Sequence, residues 1–307
     1  MIETLSVFVA SALRLSTPLV LGAAGEVVSE RAGVLNLSLE GMMLSAAFAA
    51  ALGARESGSP WLGLACGVAV GLVLGAAQAL LSVHVKANQL VVGIGFNILA
   101  LGATTFLYRQ LFGGLSREVI PSFAAWSVPG LSALPFFGPA LFSHTPLVYF
   151  SIVLVVFTGW LVKRTHFGLS LRAVGENPRA ADQAGIPVAR IRCLCVLYAG
   201  ACAGLAGSFL SVSSISTFTE GMTNGAGYLA VTAVILGAWR SGSVFFACLL
   251  FGAAAALQFL LPALGVPLPT AVLVMLPYVL ALAAVSGIVG RSRPPAALTL
   301  PFRRGAH

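Results

Sequence analysis

Leu62-Gly-Leu-Ala-Cys-Gly-Val-Ala-Val-Gly-Leu-Val-Leu-Gly-Ala-Ala-Gln-Ala-Leu-Leu-Ser-Val83 contains one amide, one hydroxyl and no charge. Roughly 20 such residues, rising about 1.5 Å each as a helix, match the hydrocarbon thickness of a bilayer. Gly63, Gly67, Gly71 and Gly75 fall four apart, so on a helix they share one face. A face without side chains lets a second backbone approach closely, which is how helices associate in lipid. The stretch therefore predicts a spanning helix that packs inside a bundle, with a subunit interface as the competing reading of the glycines.

The same pattern recurs at Leu90–Leu111, at Leu147–Val162 with its flanks and at Pro269–Val289. Of the 307 residues, 58% are hydrophobic and 8% charged, whereas a soluble domain carries roughly 25% charged residues. The expected fold class is an all-α polytopic membrane protein, one domain over 1–307, with about 8–10 transmembrane or half-spanning helices. The net charge of +8 is concentrated in two places. Lys163, Arg164, Arg172, Arg179, Arg190 and Arg192 crowd one segment; Arg291, Arg293, Arg303 and Arg304 crowd the tail. Basic loops beside spans report orientation rather than nucleic-acid binding, which makes 163–192 and 290–307 cytoplasmic. Residues 1–14, with an acidic residue and no basic leader, read as an interfacial helix ending at Arg14 rather than a cleavable signal. The five cysteines follow no metal or disulfide spacing and read as small buried apolar residues.

Counting back from the tail, Pro269–Val289 comes in, Phe245–Leu261 goes out, and Tyr228–Trp239 comes in but is too short to cross. Leu194–Val212 goes out and Pro146–Val162 comes in, leaving 113–145, with Pro121, Pro129, Pro135 and Pro139, as an external segment over the outer mouth. In the first third, Glu26–Gly41 interrupts two apolar runs. Charged groups at depth must face protein or a water-filled cavity, and a cavity lining is expected here. Ser45–Ala54 resembles Ala230–Ala238, and each is followed by an apolar span with one glutamine near its end, Gln78 and Gln258. The two copies run in opposite directions on this topology, as in transporters built from inverted repeats.

Within the basic segment, Gly175-Glu-Asn-Pro-Arg-Ala-Ala-Asp-Gln-Ala-Gly-Ile-Pro187 specifies its own short helix. Asn177 suits the N-cap, Pro178 the first helical position, Gly185 the left-handed terminating residue, and Pro187 forbids continuation. Two turns are marginal alone in water, so Pro178–Ala184 needs a partner surface. Ala180, Ala181 and Ala184 give a small flat face, with Arg179, Asp182 and Gln183 able to engage polar groups around a groove. Resting on lipid headgroups is the alternative, weakened because alanines give a membrane little to bury.

Gly-Glu-Asn-Pro-x-Ala-Ala-x-x-Ala-Gly-Ile resembles the cytoplasmic coupling segment of permease subunits in ABC importers of the ribose and simple-sugar branch. Within that branch Ser29-Glu-Arg-Ala-Gly-Val-Leu-Asn-Leu-Ser-Leu-Glu-Gly-Met-Met43 is similar to the nucleoside-type permeases, which work with basic-membrane-lipoprotein-like binding proteins, and most to their shorter permease. The resemblance implies a two-subunit transmembrane core, as a heterodimer with a second related permease, in a bacterial cytoplasmic (inner) membrane. It also implies a cytoplasmic ABC ATPase beneath and an extracellular or periplasmic substrate-binding lipoprotein. The coupling residues would be Gly175, Glu176, Asn177, Pro178, Arg179, Ala180, Ala181, Asp182, Ala184 and Gly185. The chain has no Gly-x-x-x-x-Gly-Lys-Ser/Thr phosphate loop, so it is expected to bind no cofactor itself, with ATP and Mg held by the ATPase.

Asn36 and Glu40 fall four apart, on one face of a helix, and Phe96, Asn97 and Gln258 supply an aromatic ring and neutral amides in other spans. These five are the candidate substrate pathway. Glu40 needs a partner, Arg31 or a cluster of backbone amides, and a capping role competes with substrate contact. Two rival functions stand beside an ABC permease for a nucleoside or a simple sugar. An ion-coupled secondary transporter would recruit Glu26, Glu30 and Glu40 but leave the capped helix without a task. An intramembrane enzyme would need motifs such as His-Glu-x-x-His or Gly-x-Ser-x-Gly, which the sequence lacks.

Overall fold

The computed structural model describes residues 2–113, 119–127, 129–132, 136–265, 269–286 and 293–303. In chain order its helices are α1 (Ile2–Arg31), α2 (Leu39–Ser57), α3 (Pro60–Ala79), α4 (Gln89–Leu111), α5 (Phe137–Leu141), α6 (Pro146–Arg164), α7 (His166–Glu176), α8 (Pro178–Gln183), α9 (Val188–Phe209), α10 (Ala226–Leu236), α11 (Ser241–Ala263) and α12 (Thr270–Val285). Helix α3 continues into a π-helical turn, Leu80–His84, and α9 into another, Leu210–Ile215. Six helices are long and apolar enough to cross a membrane, and two shorter apolar ones accompany them. Together these make eight among the described residues, within the expected range, and the 19-residue α2 is packed among them.

Leu62–Val83 falls within α3 and its π turn, and all four of its spaced glycines are buried. Gly71 and Gly75 lie on Gly200 and Gly204 of α9, while Gly63 lies on Ala50 and Ala54 of α2. A Cβ on Gly204 would stand 2.7 Å from Val68 Cα, and one on Gly63 2.6 Å from the Ala50 carbonyl oxygen. The stripe is packing within the bundle. The opposite face of α3, with Leu72 and Val73, is exposed.

The end of the bundle that carries α7 and α8 also holds Lys163, Arg164, Arg172, Arg179 and Arg190, which makes it the basic end of the molecule. Helix α1 reaches it, since Gly175 abuts the Arg31 carbonyl. Helices α2 and α4 leave it in parallel: the Gly41 N–H donates to Asn97 Oδ1 and Arg55 Nη1 donates to the Leu111 carbonyl, positions offset by the same number of residues on each helix. Helix α10 begins beside Glu40 and ends with Trp239 against Glu30 and Arg31, so it runs toward the basic end while α2 runs away from it. The two similar segments thus have opposite directions. At the far end, the described part of 113–145 forms α5 and a two-residue antiparallel pairing, Trp126–Ser127 with Ser143–His144, and the Ile120 and Phe123 N–H groups donate to Ser216 and Val212 carbonyls. Pro135, Arg291, Arg304 and His307 lie outside the described residues.

Two expectations change. Residues 2–14 are not a separate helix; they are the first half of α1, which runs through Arg14 and Pro18 without a break. The Ser16 and Thr17 hydroxyls donate to the Leu13 carbonyl in the turn before Pro18, and Gly252 of α11 packs on Ala12 and Ser16. Nor does Glu26–Gly41 line an open cavity. Glu26, Glu30 and Asn36 are completely buried in protein. Glu26 accepts from the Asn36 N–H at 2.9 Å, and Glu30 accepts from Trp239 Nε1.

Candidate functional site

Two clusters answer to the residues singled out in the sequence. At the basic end, Asn177 (φ −146°, ψ 90°) accepts from the Ala180 N–H at 3.0 Å through its side chain, and Pro178 opens α8. Gly185 has φ +83°, and the Ile186 N–H returns to the Ala181 carbonyl at 2.9 Å. Both ends are therefore built by the residues expected to build them. The three alanines divide, however. Ala181 is buried among Val28, Leu171, Val174 and Val188, anchoring α8 to the bundle. Ala180 and Ala184 are exposed together with Glu176, Asn177, Arg179, Gln183 and Gly185, and these form the free face. Gly175 faces inward against α1, and Asp182 is half-buried, lining a groove of about 380 Å³ with Lys86, Arg190 and Phe302. Arg179 lines a second groove of about 520 Å³ on the other side with Ala296 and Arg303.

Three parts of this surface lie outside the sequence expectation. Helix α7 occupies what reads as loop, although Thr165 is its N-cap, accepting from the Gly168 N–H at 2.9 Å, and Phe167, Leu171 and Val174 carry its apolar stripe. The tail is the second part: the Ala297 N–H donates to the Gly175 carbonyl at 2.9 Å, holding residues 295–303 across the base of α7. Arg192 is the third. Expected as a loop cation, it is almost completely buried in α9, where it donates to the carbonyls of Ala32 and Leu300 and so ties α1, α9 and the tail together.

The second cluster lies deeper. Asn97 is eight residues into α4, about 12 Å along the helix. Its Oδ1 accepts from the Gly41 N–H at 2.8 Å, and its Nδ2 donates to the Leu37 carbonyl at 2.9 Å and to Tyr228 Oη at 2.7 Å. Glu40, in the first turn of α2, accepts from Thr223 Oγ1 at 2.6 Å and from the Gly225 and Gly227 N–H groups at 2.9 and 2.7 Å. Those amides begin α10, so Glu40 caps a helix other than its own. A backbone amide cluster, and not Arg31, is its partner; Arg31 Nε donates to the Trp239 carbonyl instead. Tyr278 of α12 donates to the Asn224 carbonyl and fixes the same turn from the other side. Phe96 is half-buried beside Asn97, and Asn36 is buried, accepting from the Ser38 hydroxyl. Gln258 stands apart on α11, six residues beyond the contact of Gly252 with α1.

Toward the far end, Arg109 of α4 and Glu220 form an exposed two-bond ion pair at 2.8 and 3.1 Å. The guanidinium beside it holds the Glu220 carboxyl below the usual carboxylate range. The pair lines a groove of about 1110 Å³ along α4 with Ile98, Gly102 and Thr105. Among the described residues, no group of three or more His, Cys, Asp or Glu side chains is placed to hold a metal.

The sequence of this chain is similar to those of transport proteins. The chain is 35% identical to the guanosine ABC transporter permease protein NupQ of Bacillus subtilis, covering 99% of this chain and 98% of the relative. It is 32% identical to the nucleoside ABC transporter permease protein NupC of Lactococcus lactis, covering 96% of each. A Haloferax volcanii protein carrying the provisional name of glucose ABC transporter permease, TsgC13, is 38% identical over 79% of this chain and 74% of its own length. No solved structure matches. The chain belongs to the family described as the permease component of the branched-chain amino acid transport system, which matches it over residues 8–285.

Proposed function

We propose that this chain is the permease subunit of an ATP-driven importer for a nucleoside, with its basic end and C-terminus in the cytoplasm of a bacterial inner membrane. It pairs with a second related permease, receives solute from a binding lipoprotein on the far side, and rests on an ABC ATPase that holds ATP and Mg. The observation that carries the reading is α8: a capped two-turn helix, anchored by Ala181 and presenting Ala180, Gln183 and Ala184 outward. Small exposed residues between two grooves suit insertion into a protein surface better than adsorption to lipid. The contact of Gly175 with Arg31 then passes movement of α7–α8 into α1. The nucleoside assignment is supported by the two nucleoside-named relatives that match nearly end to end; the glucose-named relative keeps a simple sugar as the second reading. Secondary transport is disfavoured because Glu40 is committed to α10 and Glu26 and Glu30 face no open space.

The test is Ala184→Trp in the complete importer in proteoliposomes. The variant should enter the membrane and remain folded but lose ATP-dependent uptake roughly ten-fold or more, equivalent to about 1.4 kcal/mol of docking. Wild-type uptake by this variant would overturn the docking assignment. Ala181→Trp is unsuitable for that purpose, since its side chain enters the core and folding itself would fail.

A further inference from the structure

We propose that Tyr228 is the residue that meets the solute inside the permease, offering a ring face and a hydroxyl proton to a flat, uncharged ligand, and that Asn97 acts only by positioning it. This role rests on the importer reading above.

Hydrogen-bonding capacity in the deep cluster is almost fully committed. Both hydrogens of the Asn97 amide are engaged, one by the Leu37 carbonyl and one by Tyr228 Oη, and its oxygen holds the Gly41 N–H. Both oxygens of Glu40 are engaged by Thr223, Gly225 and Gly227. Asn36 has no exposed surface. Asn36, Glu40 and Asn97, three of the residues that sequence placed in the pathway, are thus the frame of the site. Tyr228 differs: it accepts from Asn97, which leaves its own hydroxyl proton without an acceptor among the described residues, and it is 45% exposed. A phenol at this depth facing lipid would leave that proton unsatisfied, at a desolvation cost.

Position supports the assignment. Tyr228 lies in the first turn of α10, and the start of α10 is held by Glu40 from α2 and Tyr278 from α12. The ring is therefore presented by a rigid support rather than by a mobile loop. The groove bounded by Arg109 and Glu220 runs along α4 from the far end as far as Ile98, the residue after Asn97. At about 1110 Å³ it can admit a small molecule.

The charge of the ligand follows from Glu40. The start of a helix ordinarily attracts anions through its free amides and positive dipole end. Here a carboxyl group of the protein occupies that place, so a phosphorylated solute finds the amides already taken. An uncharged nucleoside, with a flat base to stack and oxygens to accept the Tyr228 proton, fits this surface in chemistry and size.

The experiment uses the complete reconstituted importer and measures guanosine uptake and ATP hydrolysis in the same preparation. Tyr228→Leu should lower uptake per ATP hydrolysed about ten-fold, the scale of one lost base–aromatic stack, while hydrolysis stimulated by the binding protein persists. Tyr228→Phe should restore most of that loss, the remainder being the hydroxyl. Asn97→Ala should reduce uptake per ATP in the wild-type background and reduce it less in Tyr228→Leu, as for a residue acting through another. Its bonds to Gly41 and Leu37 are read separately, as a loss of stability common to both backgrounds. Unchanged uptake per ATP in Tyr228→Leu would overturn the proposal. So would a joint fall of uptake, hydrolysis and recovery of the paired permeases, the signature of a subunit contact. Absence of ATP-dependent uptake in the unmodified complex would instead refute the importer reading.

Discussion

A carboxylate inside a span costs about 2.5–3.5 kcal/mol on insertion scales, so on energetic grounds alone Glu40 must have a partner. Sequence offers two, Arg31 or a cluster of backbone amides. That the amides belong to Gly225 and Gly227 is not legible there, because the pairing joins residues 185 and 187 positions away. Replacing Glu40 by Gln puts an amide group where acceptors are needed. The expected cost is about 1–3 kcal/mol for a disrupted buried polar group, read as a lower unfolding temperature in detergent, with loss of uptake in parallel. Arg109 and Glu220 illustrate the exposed case, where a surface ion pair contributes little. The folded carboxyl is held below its ordinary range, so the pair stabilises the protein above the ordinary carboxylate pKa and that contribution disappears as pH falls through the folded value. Comparing the thermal stability of wild type and Glu220→Gln from about pH 7 down to about pH 3 should show a small difference that closes on acidification. A difference that widens would contradict the sign.

At the scale of helices, legibility follows local chemistry. Helix α8 is specified by Asn177, Pro178, Gly185 and Pro187, and it forms where they place it. Its orientation is not readable, since Ala180, Ala181 and Ala184 are identical until a neighbouring surface buries one of them. Helix α7 is masked by its basic residues, which report orientation first, although Thr165 and the 167, 171, 174 apolar spacing mark it. A boundary at Arg14 rests on one charge. A single arginine breaks no backbone hydrogen bond, so α1 continues through it. The glycine stripe is legible as a close contact, but its two partners are not. Gly204→Leu should prevent α3 from reaching α9, because even a Cβ there meets Val68 within 2.7 Å. Overpacking costs typically about 1–3 kcal/mol and more where backbone must move; the expected result is poor recovery of folded protein from the membrane, whereas Gly95→Leu, facing open space, is tolerated.

Across the whole molecule, the basic end is fastened by residues far apart in the chain. Arg192 links Ala32 to Leu300, and Ala297 reaches Gly175. Deleting residues 293–307 should therefore leave the spans inserted but loosen α7 and α8, seen as faster amide exchange over 166–187 and weaker coupling of hydrolysis to uptake. Equal protection with and without the tail would show that α8 is held by Ala181 and its neighbours alone. Helix α10 is fastened more strictly still. Its first turn is gripped by Glu40, and Trp239 just beyond its end by Glu30 and Arg31, so both grips come from the segment between Glu30 and Glu40. That segment works as a caliper. One residue added to α10 would advance Trp239 by about 1.5 Å and turn it through about 100°, so that closing one jaw opens the other. The length of α10 is thereby gauged by the protein itself.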